Sequence, residues 1–366
     1  MNKTLVKWEE KTLEQLGDIL DSQRKPITKR DRIAGEYPYY GATGLQDMVA
    51  GYIFDEPLVL IGEDGAKWGA GDKTAYSISG KCWVNNHAHV FRPNRTYLLD
   101  NYLINYLNYI DLKPFITGAT VEKLNQEKLR SIPIPVPPLS EQQRIVGILD
   151  EAFENIEKAK QNALQNLNNA KELFESYLIN TFLNNNETWL ADTLQNICEK
   201  ISAGGDKPEI FSETKTIECN IPIYSNGIKD NGLYGYTNNP TIEKPAITIS
   251  ARGTIGFICK RLEPYCPIVR LISLIPRDFI DLSFLAYAMN FVIPKNTGTS
   301  IPQLTVPNLK NNIVKYPPLA EQQKIVAQLD ELQEQTKKLE QIYEQKIKDL
   351  DELKQSILQK AFNGEL

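Results

Sequence analysis

The sequence repeats one segment at an interval of 180 residues. Pro137–Glu151 reads PPLSEQQRIVGILDE and Pro317–Glu331 reads PPLAEQQKIVAQLDE, so that eleven of the fifteen positions are identical. The similarity continues without a gap in the C-terminal direction as far as Phe182 and Phe362. Because such a repeat arises when one structural unit is duplicated in tandem, the chain is expected to contain two copies of the same unit.

The residues that follow Pro138 and Pro318 carry the pattern of long helices. Neither segment contains a further proline, and apolar residues recur at steps of mostly three and four. This spacing is typical of the contact line of a coiled coil. We therefore predict long helices at 140–183 and 320–366. The alternative is two unrelated amphipathic helices, each packed on its own domain.

The sequence before each helix, 1–139 and 184–319, is typical of a globular domain. The two regions hold nearly all of the prolines and glycines, and they contain short β-branched or aromatic runs such as Pro57–Ile61 and Ala246–Ser250. Turn sequences such as Asn-Gly separate these runs. We predict that each region forms an α+β domain with a curved, mostly antiparallel sheet.

The order of the elements predicts how the helices pair. Each helix begins at the end of its own globular domain, and duplication implies a pseudo-two-fold axis between the copies. Helices that pair across such an axis run antiparallel, with one globular domain at each end. About 44 helical residues extend over roughly 66 Å at ~1.5 Å per residue. The predicted fold class is α+β, with two globular domains separated by a pair of long antiparallel coiled-coil helices in a pseudo-two-fold tandem repeat.

The net charge of −5 lies in the predicted helices. Residues 140–183 and 320–366 each carry a charge of −3, which leaves +1 for the two globular domains together. Taken as a whole, a net acidic chain argues against nucleic-acid binding, because proteins of that class usually present a basic face. Nearly neutral domains, by contrast, permit a local basic surface on each.

Several basic residues of the first domain share one loop-like stretch, in which Asp31 is the only counter-charge: Arg24, Lys25, Lys29, Arg30 and Arg32. Cations on an exposed loop are suited to contact with DNA phosphates, so this loop is a candidate DNA-binding segment. A solvated loop without a ligand is the alternative.

The turns around Gly65 and Gly253 occupy equivalent positions in the two domains. Lys67 lies beside the first turn, and Arg252 lies beside the second. The position equivalent to Arg252 in the first domain is acidic, Asp64. The basic residues of the second domain form a thinner set: Lys207, Lys229, Arg252, Lys260, Arg261 and Arg270.

Sequence motifs of catalysis are absent from the chain. It contains no GxxxxGK[ST] phosphate loop, no GxGxxG fingerprint and no nucleophile elbow. His87 and His89 would share one face of a strand and could bind a metal, but without a further ligand a hydrogen-bonding or packing role is expected. The five scattered cysteines and the lack of a ~20-residue apolar run favour a cytoplasmic protein without disulfides or membrane spans.

The repeated block resembles the conserved region of the specificity (S) subunits of type I restriction-modification systems. The Thr-Gly pairs at Thr117–Gly118 and Thr297–Gly298 and the Ala-Phe-Asn-Gly-Glu-Leu ending share this resemblance, which covers the whole chain. It implies two target-recognition domains, 1–139 and 184–319, that each read one half of a split site on double-stranded DNA. The helices 140–183 and 320–366 would hold these domains apart. The resemblance also makes the Gly65 and Gly253 turns, with Lys67 and Arg252, candidates for DNA contact, and a bidentate contact from the guanidinium of Arg252 would recognise guanine.

The resemblance also implies partners and an absence of catalysis in this chain. Two methyltransferase (M) subunits would methylate adenine N6, and restriction (R) subunits would complete the nuclease. No cofactor is expected in this chain, since S-adenosylmethionine, ATP and Mg²⁺ belong to the partner subunits. The Glu-Gln-Gln blocks are interpreted as determinants of the helix start or of partner binding: Glu141, Gln142, Gln143, Glu321, Gln322 and Gln323.

Two other functions are compatible with the residues alone. The nearly neutral domains suit a scaffold that binds proteins rather than DNA, for which retention of DNA would be absent. A nuclease that uses acidic residues such as Glu63 and Asp64 with Lys67 would cleave DNA when a divalent metal is supplied. The sequence predicts neither the bases that are read nor the presence of an R subunit.

Overall fold

The computed structural model describes residues 8–118, 120–184, 188–293 and 304–366. The chain divides into two compact units, Met1–Gln165 with Tyr343–Leu366 and Asn166–Ile342. Each unit consists of one globular domain with a part of both long helices, whereas the predicted boundaries treat each helix as a separate element. Thr297–Gly298, the predicted counterpart of Thr117–Gly118, lies outside the described residues.

The first globular domain contains mixed strands and helices. Its strands are β1 (Glu9–Thr12), β2 (Gly17–Ile19), β3 (Ala34–Gly41), β4 (Gly44–Val49), β5 (Phe54–Asp55), β6 (Leu58–Gly62), β7 (Ala75–Ile78), β8 (Lys81–Val84), β9 (Ala88–Pro93) and β10 (Pro133–Val136). Its helices are α1 (Asp100–Tyr109) and α2 (Gln126–Arg130), and the long helix α3 (Leu139–Ile179) follows with a π-helical end, Asn180–Asn184.

The strands of the first domain form two four-stranded sheets and a separate pair. One sheet has the order β2-β9-β6-β7 and is antiparallel, and the other has the order β4-β3-β8-β5 with β3 and β8 parallel. The interior strand β6 reads Leu-Val-Leu-Ile, because both of its faces are buried. Val59 and Ile61 pack in one core with Leu103 of α1, while Leu58 and Leu60 face a second core.

The second globular domain has a similar order of elements. Its strands are β11 (Leu190–Thr193), β12 (Cys198–Ala203), β13 (Ile221–Tyr224), β14 (Leu233–Thr237), β15 (Ala246–Ile249), β16 (Ile258–Arg261), β17 (Cys266–Pro267), β18 (Ile272–Pro276) and β19 (Ile313–Tyr316). Its helices are α4 (Leu194–Ile197), α5 (Leu282–Val292) and α6 (Val306–Lys310), followed by the long helix α7 (Leu319–Phe362). The sheets have the orders β12-β18-β15-β16 and β14-β13-β17, with β13 and β17 parallel. The predicted α+β class and tandem repeat are therefore confirmed.

The two long helices contact each other within each unit. In the first unit, Lys160 of α3 forms an ion pair with Asp351 of α7 at 2.7 Å, and Arg144 donates to the main-chain oxygen of Leu366 at 3.0 Å. Of these two contacts, the one nearer the start of α3 involves the later residue in the C-terminal segment. The helices therefore run antiparallel, as predicted. In the second unit, the hydroxyl of Tyr177 donates to Oε1 of Gln328 at 3.0 Å. Among the described residues, no helix is long and apolar enough to span a membrane.

Candidate nucleic-acid interface

Strand pairing aligns two turns of the first domain with two turns of the second. Strand β8 pairs in parallel with β3, and β17 pairs in the same way with β13. The turn after β8, which contains His87, therefore corresponds to the turn after β17, which contains Arg270. The pairing of β6 with β9, and of β15 with β18, likewise aligns Asp64 with Arg252. In the first domain the two turns touch, since the N–H of Glu63 donates to the main-chain oxygen of His87 at 2.8 Å.

The glycines after these aligned positions share one backbone conformation. Gly65 has a φ of +69° and Gly253 has a φ of +67°, a region that favours glycine because it has no Cβ. The alignment of Asp64 with Arg252 that the sequence predicts is thus supported by backbone geometry as well as by strand register.

The basic loop of the first domain divides into inward and outward residues. The guanidinium of Arg24 bonds Glu63 and the main-chain oxygen of Ala88, and its side chain is only 12 % exposed. Arg32 pairs with Asp47 at 3.1 Å and lies over the ring of Tyr39. The expectation of mobile, exposed cations is wrong for Arg24 and Arg32, because strand pairing brings carboxylates from distant segments against them.

The remaining cations of this loop are exposed: Lys25, Lys29 and Arg30. The indole N–H of Trp83 donates to the main-chain oxygen of Lys25 at 2.5 Å, which fastens the start of the loop to β8. The loop therefore keeps three outward cations, and Lys25 directly follows the arginine that contacts the turn carrying His87. Lys67, beyond the Gly65 turn, is exposed as well.

A buried network of charged side chains includes Arg24 of this loop. His89 contacts the carboxylate of Asp21 at 2.6 Å through Nδ1 and the main-chain oxygen of Leu124 at 2.7 Å through Nε2. The two ring nitrogens of His89 thus face two hydrogen-bond acceptors, the Asp21 carboxylate and the Leu124 carbonyl. Burial raises the pKa of Asp21, but hydrogen bonds from His89 and Val90 and the charges of His89 and Arg24 lower the pKa below its ordinary value.

Glu63 completes the network. Its carboxylate oxygens contact Arg24 and, at 2.6 Å, Lys123. Asp21, Glu63 and His89 lie close enough together to ligate a cation, but Arg24 and Lys123 already neutralise their oxygens. The same contacts weigh against Glu63 as a nuclease residue. Sequence reasoning missed Lys123, whose carboxylate partner lies 60 positions away in the chain.

The two histidines do not share a strand face. β9 begins at Ala88, so His87 lies in the preceding turn, where its ring contacts Asp64. His89 lies within β9 and is buried. Both side chains make hydrogen bonds. The predicted shared face is wrong, because the turn includes His87 and only His89 belongs to the strand.

In the second domain, one side chain links three turns. Asn226 donates from Nδ2 to the main-chain oxygen of Val269 at 2.6 Å and accepts the N–H of Ala251 at Oδ1 at 2.8 Å. Arg252 and Arg270, the residues that follow these two partners, are exposed. Sequence reasoning missed Asn226 as an organising residue, since Asn-Gly indicates a turn but not what the asparagine bonds.

Of the other predicted cations of the second domain, Lys207, Lys229 and Lys260 lie at the surface, whereas Arg261 is buried and donates to Oγ1 of Thr248 at 3.0 Å. Lys207 is exposed and its ammonium lies 3.3 Å from the ring centroid of Phe211. Lys229 is exposed in the turn before β14, where Asp230 and Asn231 have φ values of 50° and 53°. Whether these cations contact DNA stays a prediction.

The Glu-Gln-Gln blocks join each long helix to its own globular domain. Gln142 is buried, accepts the N–H of Leu99 at 2.9 Å, and donates to the main-chain oxygens of Tyr97 and Pro137 at 2.7 and 2.9 Å. Gln322 repeats this arrangement around the N–H of Asp281, which it accepts at 2.8 Å.

The partner-binding prediction therefore needs a correction for the central glutamines. Gln142 and Gln322 are fully buried in contacts with their own domains and have no surface to offer a partner. Glu141 is held by Arg144 through a bidentate ion pair. Gln143, Glu321 and Gln323 are exposed, so for them partner binding stays a prediction.

A profile of the type I restriction modification DNA specificity domain matches this chain twice, at residues 5–166 and 186–349. The two matches cover most of the sequence. The chain belongs to the family of type I restriction-modification specificity subunits. As an S subunit of this family, it serves in the recognition of a DNA target.

Relatives of similar length support this membership. A putative type I restriction enzyme specificity subunit of Haemophilus influenzae is 30% identical over 355 residues, which are 90% of this chain and 88% of the relative. A putative type I specificity subunit of Mycoplasma pneumoniae is 29% identical over 87% of this chain and 88% of its own length.

Solved structures share the fold of the S subunit. The HsdS subunit from Thermoanaerobacter tengcongensis has a TM-score of 0.67 at 20% identity, covering 99% of this chain and 98% of its own. A chain from a study of complex assembly and conformational transition in the type I R-M system has a TM-score of 0.75 at 19% identity, covering 99% of both chains. At such identities the similarity concerns the fold.

Proposed function

We propose that this S subunit reads the two halves of a split double-stranded DNA target, one half with each globular domain, and has no catalytic activity of its own. The observation that carries the proposal is the contrast at aligned turns. The turns that follow equivalent strands carry Asp64 and His87 in the first domain and Arg252 and Arg270 in the second. A shared scaffold with different exposed side chains is suited to reading different base sequences.

We further propose that the exposed faces of α3 and α7 bind two M subunits, and that R subunits join the same complex. The supporting observation is the identity of eleven of fifteen residues in the repeated block, whereas the globular domains differ widely. Two helices that meet the same partner keep the same surface. Gln143 and Gln323 are exposed members of this block. S-adenosylmethionine, ATP and Mg²⁺ then act in the partner subunits.

Co-expression with the M subunit of the same system tests the proposal. We expect an M–S complex on size-exclusion chromatography and, in the DNA of the expressing cells, N6-methyladenine in a motif of two short halves separated by a fixed gap. Deletion of the S subunit should abolish that methylation. An M subunit that does not bind, together with unchanged methylation, would contradict the proposal and favour a protein-binding scaffold.

A further inference from the structure

We propose that Arg270, presented by a strained turn beside Arg252, determines the base specificity of the second domain, and that the half-site of this domain contains guanine where these side chains contact it. The inference rests on the proposed DNA-reading function and deepens it. It concerns two side chains that the alignment of the domains places on neighbouring turns.

The turn that carries Arg270 has an unusual backbone. Leu271 donates its N–H to the main-chain oxygen of Ile268 at 3.0 Å, and the two residues between them, Val269 and Arg270, have φ values of 53° and 61°. Turns with positive φ at both central positions are usually formed by Asn-Gly. A β-branched valine in this region is a real outlier, because its side chain crowds the backbone.

Hydrogen bonds hold this turn in its strained form. Val269 donates its N–H to the main-chain oxygen of Gly205 at 2.8 Å, and Arg270 donates to that of Gly204 at 3.0 Å. A Cβ on Gly204 would lie 2.5 Å from the carbonyl carbon of Pro267, so only glycine permits this close approach. Asn226 also donates a hydrogen bond to the main-chain oxygen of Val269, so the backbone of the turn is held from both sides.

The strain does not serve the core. Val269 is 45 % exposed and Arg270 is exposed too, so neither side chain gains burial from the conformation. Backbone strain that brings no packing is characteristic of sites where a side chain must be presented in one direction. Here that side chain is the guanidinium of Arg270, which forms no hydrogen bond or ion pair with any residue that the structure describes.

Arg252 is placed beside it by the same asparagine. Asn226 bonds the residue before Arg252 through Oδ1 and the residue before Arg270 through Nδ2. Two arginines on linked, exposed turns match the major-groove edge of guanine, where O6 and N7 accept a bidentate pair of N–H donors.

The first domain carries a different pair at these positions. His87 and Asp64 contact each other, so that neither offers two outward donors. Guanine contacts of this kind are therefore expected in the half-site of the second domain and not at the aligned position of the first.

Methylation-site sequencing of cells that express the M–S complex tests the inference. In Arg270→Gly the backbone is relieved, since glycine accepts a φ of 61°, so the variant folds and any change reports the lost side chain. We expect the preference for guanine at one position of the second half-site to fall by about ten- to a hundredfold, with the first half-site unchanged. Arg270→Gln should shift that position towards adenine, which a glutamine reads, and Arg252→Ala should relax another position of the same half-site.

Lys244→Ala is the matched control. Lys244 precedes β15 and Arg252 follows it, so this variant removes one positive charge from the far end of the same strand. It should leave the motif intact. If the wild-type complex produces no split motif, the proposed function itself fails. If the wild type does so and Arg270→Gly keeps the guanine preference, or if only the first half-site changes, the inference is overturned.

Discussion

Phe362, at the end of α7, stacks on Tyr109 of the first globular domain, with ring centroids 5.3 Å apart and ring planes inclined by 22°. The residue 180 positions earlier repeats the contact in the second unit, where Phe182 stacks on Phe291 at 5.4 Å and 25°. The end of each long helix is therefore part of the core of a globular domain, and the repeat preserves the aromatic residue that anchors it.

Phe362→Ala is expected to destabilise the first unit. The side chain is almost fully buried against Tyr102, Tyr106 and Tyr109, so truncation should lower the free energy of unfolding by about 3–5 kcal/mol. Hydrogen exchange followed by mass spectrometry separates the two units, and faster exchange should be confined to the first. Phe182→Ala is the matched variant and should affect the second unit instead. Equal exchange in both variants would contradict an anchoring role.

Asp21→Asn is expected to remove part of the acid sensitivity of the first domain. The pKa of Asp21 is lowered in the folded state from its ordinary value of 3.8, so its stabilisation is present above that value and lost as the pH falls through the lower folded pKa. At pH 7 the variant should lose about 1–3 kcal/mol of stability, because Arg24 and His89 lose the Asp21 carboxylate and keep only Glu63 as an acidic partner. Below pH 3 the difference from the wild type should shrink.

Denaturant unfolding at a series of pH values measures this difference. Asp47→Asn provides the comparison, because the hydrogen bond from Arg32 lowers the pKa of this carboxyl also, while its side chain is 40 % exposed. Its effect at pH 7 should be clearly smaller. A difference between wild type and Asp21→Asn that does not depend on pH would contradict an ionised Asp21 in the folded state.

The two glutamines of the first Glu-Gln-Gln block, Gln142 and Gln143, are expected to have different roles. Gln142→Ala leaves the N–H of Leu99 and two main-chain oxygens without partners, which should cost about 1–3 kcal/mol of stability. Gln143→Ala, at an exposed position, should leave stability unchanged and weaken binding of the M subunit. Thermal melting and titration with the M subunit measure the two effects. Weakened M binding in a fully folded Gln142→Ala protein would contradict this division.

Much of the fold follows from local signals in the sequence. The repeat predicts two similar units, the spacing of apolar residues predicts α3 and α7, and continuous apolar runs predict interior strands such as β6. These signals depend on neighbours within one element, where periodicity reports which face is buried. Compact units that contain parts of both long helices depend instead on contacts between segments far apart in the chain.

The details of the candidate interface were harder to predict for the same reason. Arg24 appears mobile until strand pairing places Glu63, 39 positions later, against its guanidinium. The sequence Ile-Val-Arg-Leu around Arg270 reads as a strand, because it lacks the glycine or asparagine that normally signals a positive φ. Tertiary hydrogen bonds, which no local pattern reports, impose the turn.

The outward and inward cations of the basic loop are expected to behave differently in DNA binding. Lys25, Lys29 and Arg30 are exposed, so alanine at any of them should weaken binding of the M–S complex without changing the methylated motif, since phosphate contacts carry no sequence information. Each loss of a phosphate contact should reduce the slope of log K against log salt by about 0.9. Arg24→Ala should instead lower the melting temperature, because Glu63 and Asp21 lose a buried partner. Binding measured between about 50 and about 200 mM salt distinguishes the two classes. A salt slope that stays constant in all three outward variants would show that the loop lies away from the DNA.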